Sequence, residues 1–298
     1  MKPAQFRLAT PETLDAAVAL LAETDGVAKP LAGGQSLIPL MNFRLAVPDL
    51  LVDLNRVRDL AYIRLAGQDL VIGAMTRQCE LERSTEVARF APLLSEAVPH
   101  IAHPPIRNRG TVGGSLAHAD AASEICSVML ALDATVTARS RDGEREIGIR
   151  DFFRGPLTTA LSSHEVLTAV RIRRPEKGGW AFTEVARRRG DFAIVSVAAL
   201  LALDDSGHIA QARLAYGSMG PIPLRAYAAE EGLIGELPRP EVFAAAAKAA
   251  VAELPGTEDV HATRPYRAHV AHALTRRSLE RALTRAVGGS LVENAAHD

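Results

Sequence analysis

The residues of this sequence best suited to chemistry are two glycine pairs set among small polar side chains: Ala32-Gly33-Gly34-Gln35-Ser36 and Thr111-Val112-Gly113-Gly114-Ser115. Glycine permits positive φ, so successive backbone N–H groups can converge on an anion, and the missing side chain lets a phosphate approach the main chain. Serine and threonine add hydroxyls. A hydrogen bond to a charged oxygen contributes about 1.5–3 kcal/mol net, so two such loops closing around one diphosphate through their main-chain amides would hold a dinucleotide tightly. Taken singly, a glycine pair is more often a tight turn. No GxGxxG follows the first strand-like run, and no GxxxxGK precedes a serine or threonine. Neither a Rossmann nor a P-loop phosphate site is therefore supported.

The elements that must position these loops follow from the apolar pattern. Thr10 and Pro11 read as a helix start, with Leu14, Val18 and Leu21 on one face and Gly26 as the stop. Residues 27–32 read as a strand running into Gly33, and 50–54, 69–74, 134–139 and 165–172 as further strands. Helices are expected at 77–90, 91–101 and 123–132, the last burying Cys126. The segment 173–179, RRPEKGG, is the best candidate for a domain boundary. Beyond it, three strand-like runs between Trp180 and Met219 suggest an antiparallel meander, and helices are expected near 223–235, 240–253 and 265–287.

Composition excludes several functions. Of 298 residues, 48% are hydrophobic and 23% charged, as in folded soluble proteins. Thirty-four basic against thirty-five acidic residues leave a net charge of −1, which provides no field for DNA or an anionic bilayer. Two cysteines, Cys79 and Cys126, cannot supply the four thiolates of an iron–sulfur cluster, so a redox centre held here must be organic. The first residues lack the apolar stretch of a secretory signal, and Phe192 to Leu203 is too short to span a membrane. A soluble cytoplasmic protein is expected. The His100/His103 and His269/His272 pairs have metal-compatible spacing without an evident third ligand, and Arg187 to Arg189 read as a solvated basic run.

AGGQSLIPLMNFRLAVPDLLVDL at 32–54 and HPPIRNRGTVGGSLAHADAASE at 103–124 resemble the two FAD-binding signatures of the medium, flavoprotein subunits of molybdenum hydroxylases. That family includes carbon monoxide dehydrogenase medium chains and the FAD domain of xanthine dehydrogenase. The resemblance extends to DFFRGPLTTAL at 151–161, EVLTAVRI at 165–172 and RRRGDFAIV at 187–195. It implies an α+β chain: a p-cresol methylhydroxylase-type FAD-binding domain over 1–177, then a small domain over 178–288 with a three-stranded antiparallel sheet and a three-helix bundle, then a tail, 289–298.

The resemblance also implies FAD as cofactor and assigns its contacts. Ala32, Gly33, Gly34, Gln35, Ser36 and Leu37 form one cradle, and Gly110, Thr111, Gly113, Gly114 and Ser115 the other. Ile101, Ala102 and Ile106 help to enclose the cofactor, His118, Ser123 and Glu124 match another contacting stretch, and Ala117 is a further cofactor-binding residue. Val166 and Leu167 lie near the flavin ring. Phe192 is a candidate to pack on the ring, or else a core strand residue. No side chain of the chain is assigned as catalytic, and no metal site is assigned. The implied partners are a large molybdopterin subunit and a small [2Fe–2S] subunit, in a dimer of heterotrimers, with electrons leaving to NAD, a quinone, another carrier or O2. The substrate would be aromatic, N-heterocyclic or CO. A self-contained flavin oxidoreductase and a non-catalytic nucleotide-binding assembly protein are the competing possibilities.

Overall fold

The computed structural model describes residues 2–175 and 177–294. The chain clusters into two units: residues up to 87, 103–119 and 133–173 make the first, and 88–102, 120–132 and those from 174 onward make the second.

In the first unit a parallel sheet places Leu50–Asp53 between Arg7–Ala9 and Ala28–Leu31. Leu50, Leu51 and Val52 are buried because helices and strands cover both faces of a central parallel strand. The first helix is Leu14–Glu23, and its cap is Thr13, whose hydroxyl accepts from the N–H of Ala16 at 3.2 Å. The expected start at Thr10-Pro11 is therefore wrong. Arg7–Ala9 is occupied as a strand, so Thr10 and Pro11 are consumed in leaving the sheet before the chain can turn.

The second sheet of this unit is antiparallel, in the order Ile63–Ala66, Asp69–Gly73, Val166–Arg173, Thr135–Ser140, Gly143–Gly148. Its three inner strands are those expected from apolar runs. The two edge strands were not expected, because they are largely exposed and carry charged residues in place of an apolar run.

The second unit is built on an antiparallel sheet of three long strands, Gly179–Val185, Val195–Leu203 and Ile209–Gly217, with two-residue Leu224–Arg225 added at one edge. Helices Tyr227–Glu231, Pro240–Glu253 and Arg264–Asn294 accompany it. At Gly179 an added Cβ would lie 1.7 Å from the carbonyl oxygen of Ala282, so only glycine lets the long helix rest on this strand. Helices Pro92–Ala97 and Glu124–Ala131, which precede residue 177, belong to this unit. Glu124–Ala131 packs on the two central strands, with Cys126 fully buried, and Glu96 receives Arg281 and Arg285 from the long helix, each at 2.6 Å. Glu176, in the expected linker, and residues 295–298 of the expected tail lie outside the described residues.

Candidate functional site

The first glycine loop leaves the strand Ala28–Leu31 and enters the helix Leu37–Asn42. Gly34 has φ +74°, a conformation that favours glycine. The Gln35 side chain donates to the carbonyl of Gly33 at 3.1 Å and stabilises the turn. Among the described residues, the N–H groups of Gly33, Gly34, Gln35 and Ser36 donate to no protein acceptor. Four consecutive unbonded amides form a donor set suited to phosphate oxygens.

The second loop works differently. Thr111 caps the helix Val112–His118, its hydroxyl accepting from the N–H of Gly114 at 3.0 Å. The N–H of Gly113 donates to the carbonyl of Ala74 at 2.8 Å, and that of Ser115 to Thr111 at 3.1 Å. The expectation that both loops offer main-chain amides is thus corrected: the amides of 114 and 115 are spent on capping by Thr111 and that of 113 on the Ala74 carbonyl. What glycine contributes here is closeness. A Cβ on Gly113 would lie 2.5 Å from the Ala74 side chain, and one on Gly114 2.8 Å from Thr111 Oγ1 and 3.4 Å from Ala32 Cβ.

The two loops meet. A Cβ at Gly33 would lie 2.2 Å from the carbonyl oxygen of Arg109 and 2.9 Å from Gly110 Cα. Three residues that the sequence did not single out organise this junction. Asn55 Nδ2 donates to the carbonyl of Ala32 at 3.0 Å. Arg77 donates to Asn55 Oδ1 at 2.5 Å and to the carbonyl of Arg109. Gln78 is only 4% exposed; its amide nitrogen donates to Ser115 Oγ at 2.9 Å, and its Oε1 is buried with no partner. Burial and the neighbouring Arg109 guanidinium pull the Arg77 pKa below its ordinary value. No spacing rule connects positions 55, 77 and 78 with the loops, so none of the three was legible in the sequence.

The remaining expected residues divide between the units. In the first, Leu37 opens its helix, Ile106 lies in Pro104–Arg107, and Ala117 and His118 close Val112–His118. Val166 and Leu167 are buried at the start of the central strand, beside a register shift. In the second unit, Ile101 is buried, Ala102 has φ +41° and Ser123 precedes the helix that Glu124 opens. Phe192 is 63% exposed in the loop before Val195–Leu203, which overturns the reading of it as a core strand residue.

Glu124 is 3% exposed, and burial pushes its carboxyl up to about 7, with Glu184 adding to the rise. Glu184 Oε1 accepts from His100 Nδ1 at 3.0 Å, a bond that raises the histidine. A carboxyl whose folded pKa is raised stabilises the fold below its unfolded value, near 4.5, and loses that stabilisation as pH rises through about 7. Glu124→Gln, neutral at every pH, is therefore expected to gain on the parent between pH 5 and pH 8, by up to about 3 kcal/mol for a shift of this size. Thermal melts of the FAD-free chain at both pH values check it; a gap that does not widen contradicts it.

Two family models cover this arrangement: an FAD binding domain in molybdopterin dehydrogenase over residues 4–175, and a CO dehydrogenase flavoprotein C-terminal domain over 180–282. The chain belongs to the FAD-binding subunit family of the molybdopterin dehydrogenases. Among relatives in this family, the 6-hydroxypseudooxynicotine dehydrogenase complex subunit alpha of Paenarthrobacter nicotinovorans is 44% identical, over 96% of this chain and 97% of that one. The caffeine dehydrogenase subunit beta of a Pseudomonas strain is 41% identical, over 96% and 98%. The carbon monoxide dehydrogenase structure from Hydrogenophaga pseudoflava, solved without the Mo-pyranopterin moiety, superposes at a TM-score of 0.93 with 36% identity, over 96% of this chain and 99% of its counterpart. The α+β architecture of an FAD-binding domain followed by a smaller C-terminal domain is that of this medium-subunit family.

Proposed function

We propose that this chain is the FAD-holding electron-transfer subunit of a molybdenum hydroxylase, working with a large molybdopterin subunit and a small [2Fe–2S] subunit in the cytoplasm as a dimer of heterotrimers. The single observation that carries the reading is the junction of the two glycine loops, where four unbonded amides of Gly33 to Ser36 lie against a loop that only glycine could bring so close. The buried, unpartnered Oε1 of Gln78 beside Gly110 marks the same place as built for a polar ligand. FAD, when bound, supplies the ability to exchange electrons singly with iron–sulfur clusters and in pairs with an acceptor.

The protein's own part is to bind, aim and enclose. Amides from Gly33 to Ser36 would hold the diphosphate, and Thr111 keeps Gly114 tucked against Ala32 so that the wall stays open to the cofactor. Leu37, Ile101, Ala102, Ile106, Ala117, His118, Ser123, Glu124, Val166, Leu167 and Phe192 are the further contacts that we assign by family pattern. The same pattern supports 1–177 and 178–288 as sequence domains, with 289–298 as a tail. Substrate oxidation belongs to the large subunit. The activities of the relatives, on 6-hydroxypseudooxynicotine and caffeine, support an aromatic or N-heterocyclic substrate over CO.

Gly114→Asp tests the reading. It drives a Cβ to 2.8 Å from Thr111 Oγ1 and sets a negative charge beside the loop junction. The variant is expected to purify folded by circular dichroism but without flavin absorbance, while the parent chain is yellow; stoichiometric flavin in the variant contradicts the placement of the diphosphate. Parent protein that takes up no FAD at all contradicts the function.

A further inference from the structure

The geometry points to Asn55 and Arg77 as positioning residues that tie the two glycine loops together at the spacing in which they bind a dinucleotide diphosphate. The inference rests on the FAD reading above and extends it to residues outside both glycine signatures. The tie is continuous. The Ala32 carbonyl accepts from Asn55 Nδ2 at 3.0 Å, Asn55 Oδ1 accepts from Arg77 at 2.5 Å, and the other arm of the same guanidinium donates to the carbonyl of Arg109, the residue before Gly110. One planar side chain thus spans from the network beneath the first loop to the entry of the second, a task for a rigid fork of donors that a single ammonium cannot perform.

The bridge is fixed at its base. The Arg77 N–H donates to Glu80 Oε2 at 2.8 Å, and Asn55 is oriented by Asp53, which accepts both from its backbone N–H at 2.9 Å and from its side-chain amide. Gly33 and Gly110, where the loops come closest, have no side chains that could substitute. The guanidinium of Arg109 is close enough to repel that of Arg77, so the junction carries two cations whose mutual repulsion a bound diphosphate would relieve. Arg77 and Asn55 act through the loops; neither is assigned a contact with the cofactor.

The test is FAD affinity of the full chain, measured by flavin fluorescence for the parent, Arg77→Ala, Asn55→Ala and the double variant, with circular dichroism and thermal melts as controls. Each single variant is expected to bind FAD about 10- to 100-fold more weakly, the loss expected for one charge-assisted hydrogen bond. The double variant should lose no more than the weaker single variant, since two links of one tie cannot be broken twice. Millimolar guanidinium should restore part of the affinity of Arg77→Ala and none of that of Asn55→Ala.

Parent-like affinity in Arg77→Ala, or strictly additive losses in the double variant, overturns the inference. If Arg77→Ala fails to fold, Asn55→Ala decides: parent-like affinity there overturns it equally. These failures are distinct from failure of the FAD reading, which shows in the parent chain.

Discussion

Gly33→Ala is expected to give a folded but colourless protein, with FAD affinity reduced by at least about 100-fold, equivalent to about 2.7 kcal/mol. The expectation follows from what the new methyl group would meet: the carbonyl oxygen of Arg109 at 2.2 Å, its carbonyl carbon at 2.8 Å and Gly110 Cα at 2.9 Å. All three are backbone atoms, and no rotamer change can clear them. The loops must part. Overpacking of this kind costs about 1–3 kcal/mol in stability, which a domain with its own buried core can survive. The amides of Gly33 to Ser36, however, would no longer face the second loop at the distance the fold sets, and each charge-assisted bond lost costs about 1.5–3 kcal/mol of binding. Gly148→Ala is the control, since a Cβ there meets nothing within 4 Å and the residue has no positive φ. It is expected to stay yellow. Flavin content by absorbance after desalting separates the two, and a Gly33→Ala protein with full flavin would show that the loops do not close on the cofactor.

The second large effect is expected in the other unit. Arg225→Leu should destabilise the second unit by about 3–5 kcal/mol, because it leaves a buried carboxylate without its counter-charge. Arg225 and Glu230 have side chains only 5% and 7% exposed; Arg225 Nε donates to Glu230 Oε1 at 2.8 Å, and a second guanidinium nitrogen meets Oε2. The same Oε1 also accepts from the N–H of Leu214 at 2.8 Å, so Glu230 ties the short helix Tyr227–Glu231 to the strand Ile209–Gly217. Truncating Glu230 instead would orphan both a guanidinium and a strand amide. Removing both charges with Arg225→Met and Glu230→Met is expected to recover most of the loss, apart from about 1–3 kcal/mol for the unsatisfied Leu214 amide. Trp180, the sole tryptophan, lies on the first strand of this unit, so urea unfolding followed by its fluorescence reads the unit directly. Equal midpoints for Arg225→Leu and the parent would show that the pair contributes nothing.

These two sites announce themselves very differently along the chain. Gly33 was legible because its residue type is itself the signal: a second glycine follows, a strand precedes, and no common core position demands that pattern. Arg225 and Glu230 are ordinary charged residues five apart, and nothing in their neighbours marks them as buried. The same contrast runs through the fold. The inner strands Leu50–Asp53, Asp69–Gly73, Thr135–Ser140 and Val166–Arg173 were expected close to their observed bounds, because burial demands apolar runs that can be seen along the chain. The edge strands Ile63–Ala66 and Gly143–Gly148 were invisible, since only a partner strand's hydrogen bonds make them strands.

By itself the sequence showed two glycine loops, a resemblance to a redox flavoprotein family and too few cysteines for an iron–sulfur cluster, since residue types, motif spacing and cysteine number are properties of the chain alone. Tertiary structure alone decided which loop offers its amides and which spends them on its own cap and on a distant segment, that Asn55 and Arg77 bridge the loops, and that Phe192 is exposed. The reason is physical. Whether an N–H is free depends on which carbonyl lies opposite it, and the carbonyls of Ala74 and Thr76 reach the second loop from far along the chain, through pairings that no local pattern of residue types encodes.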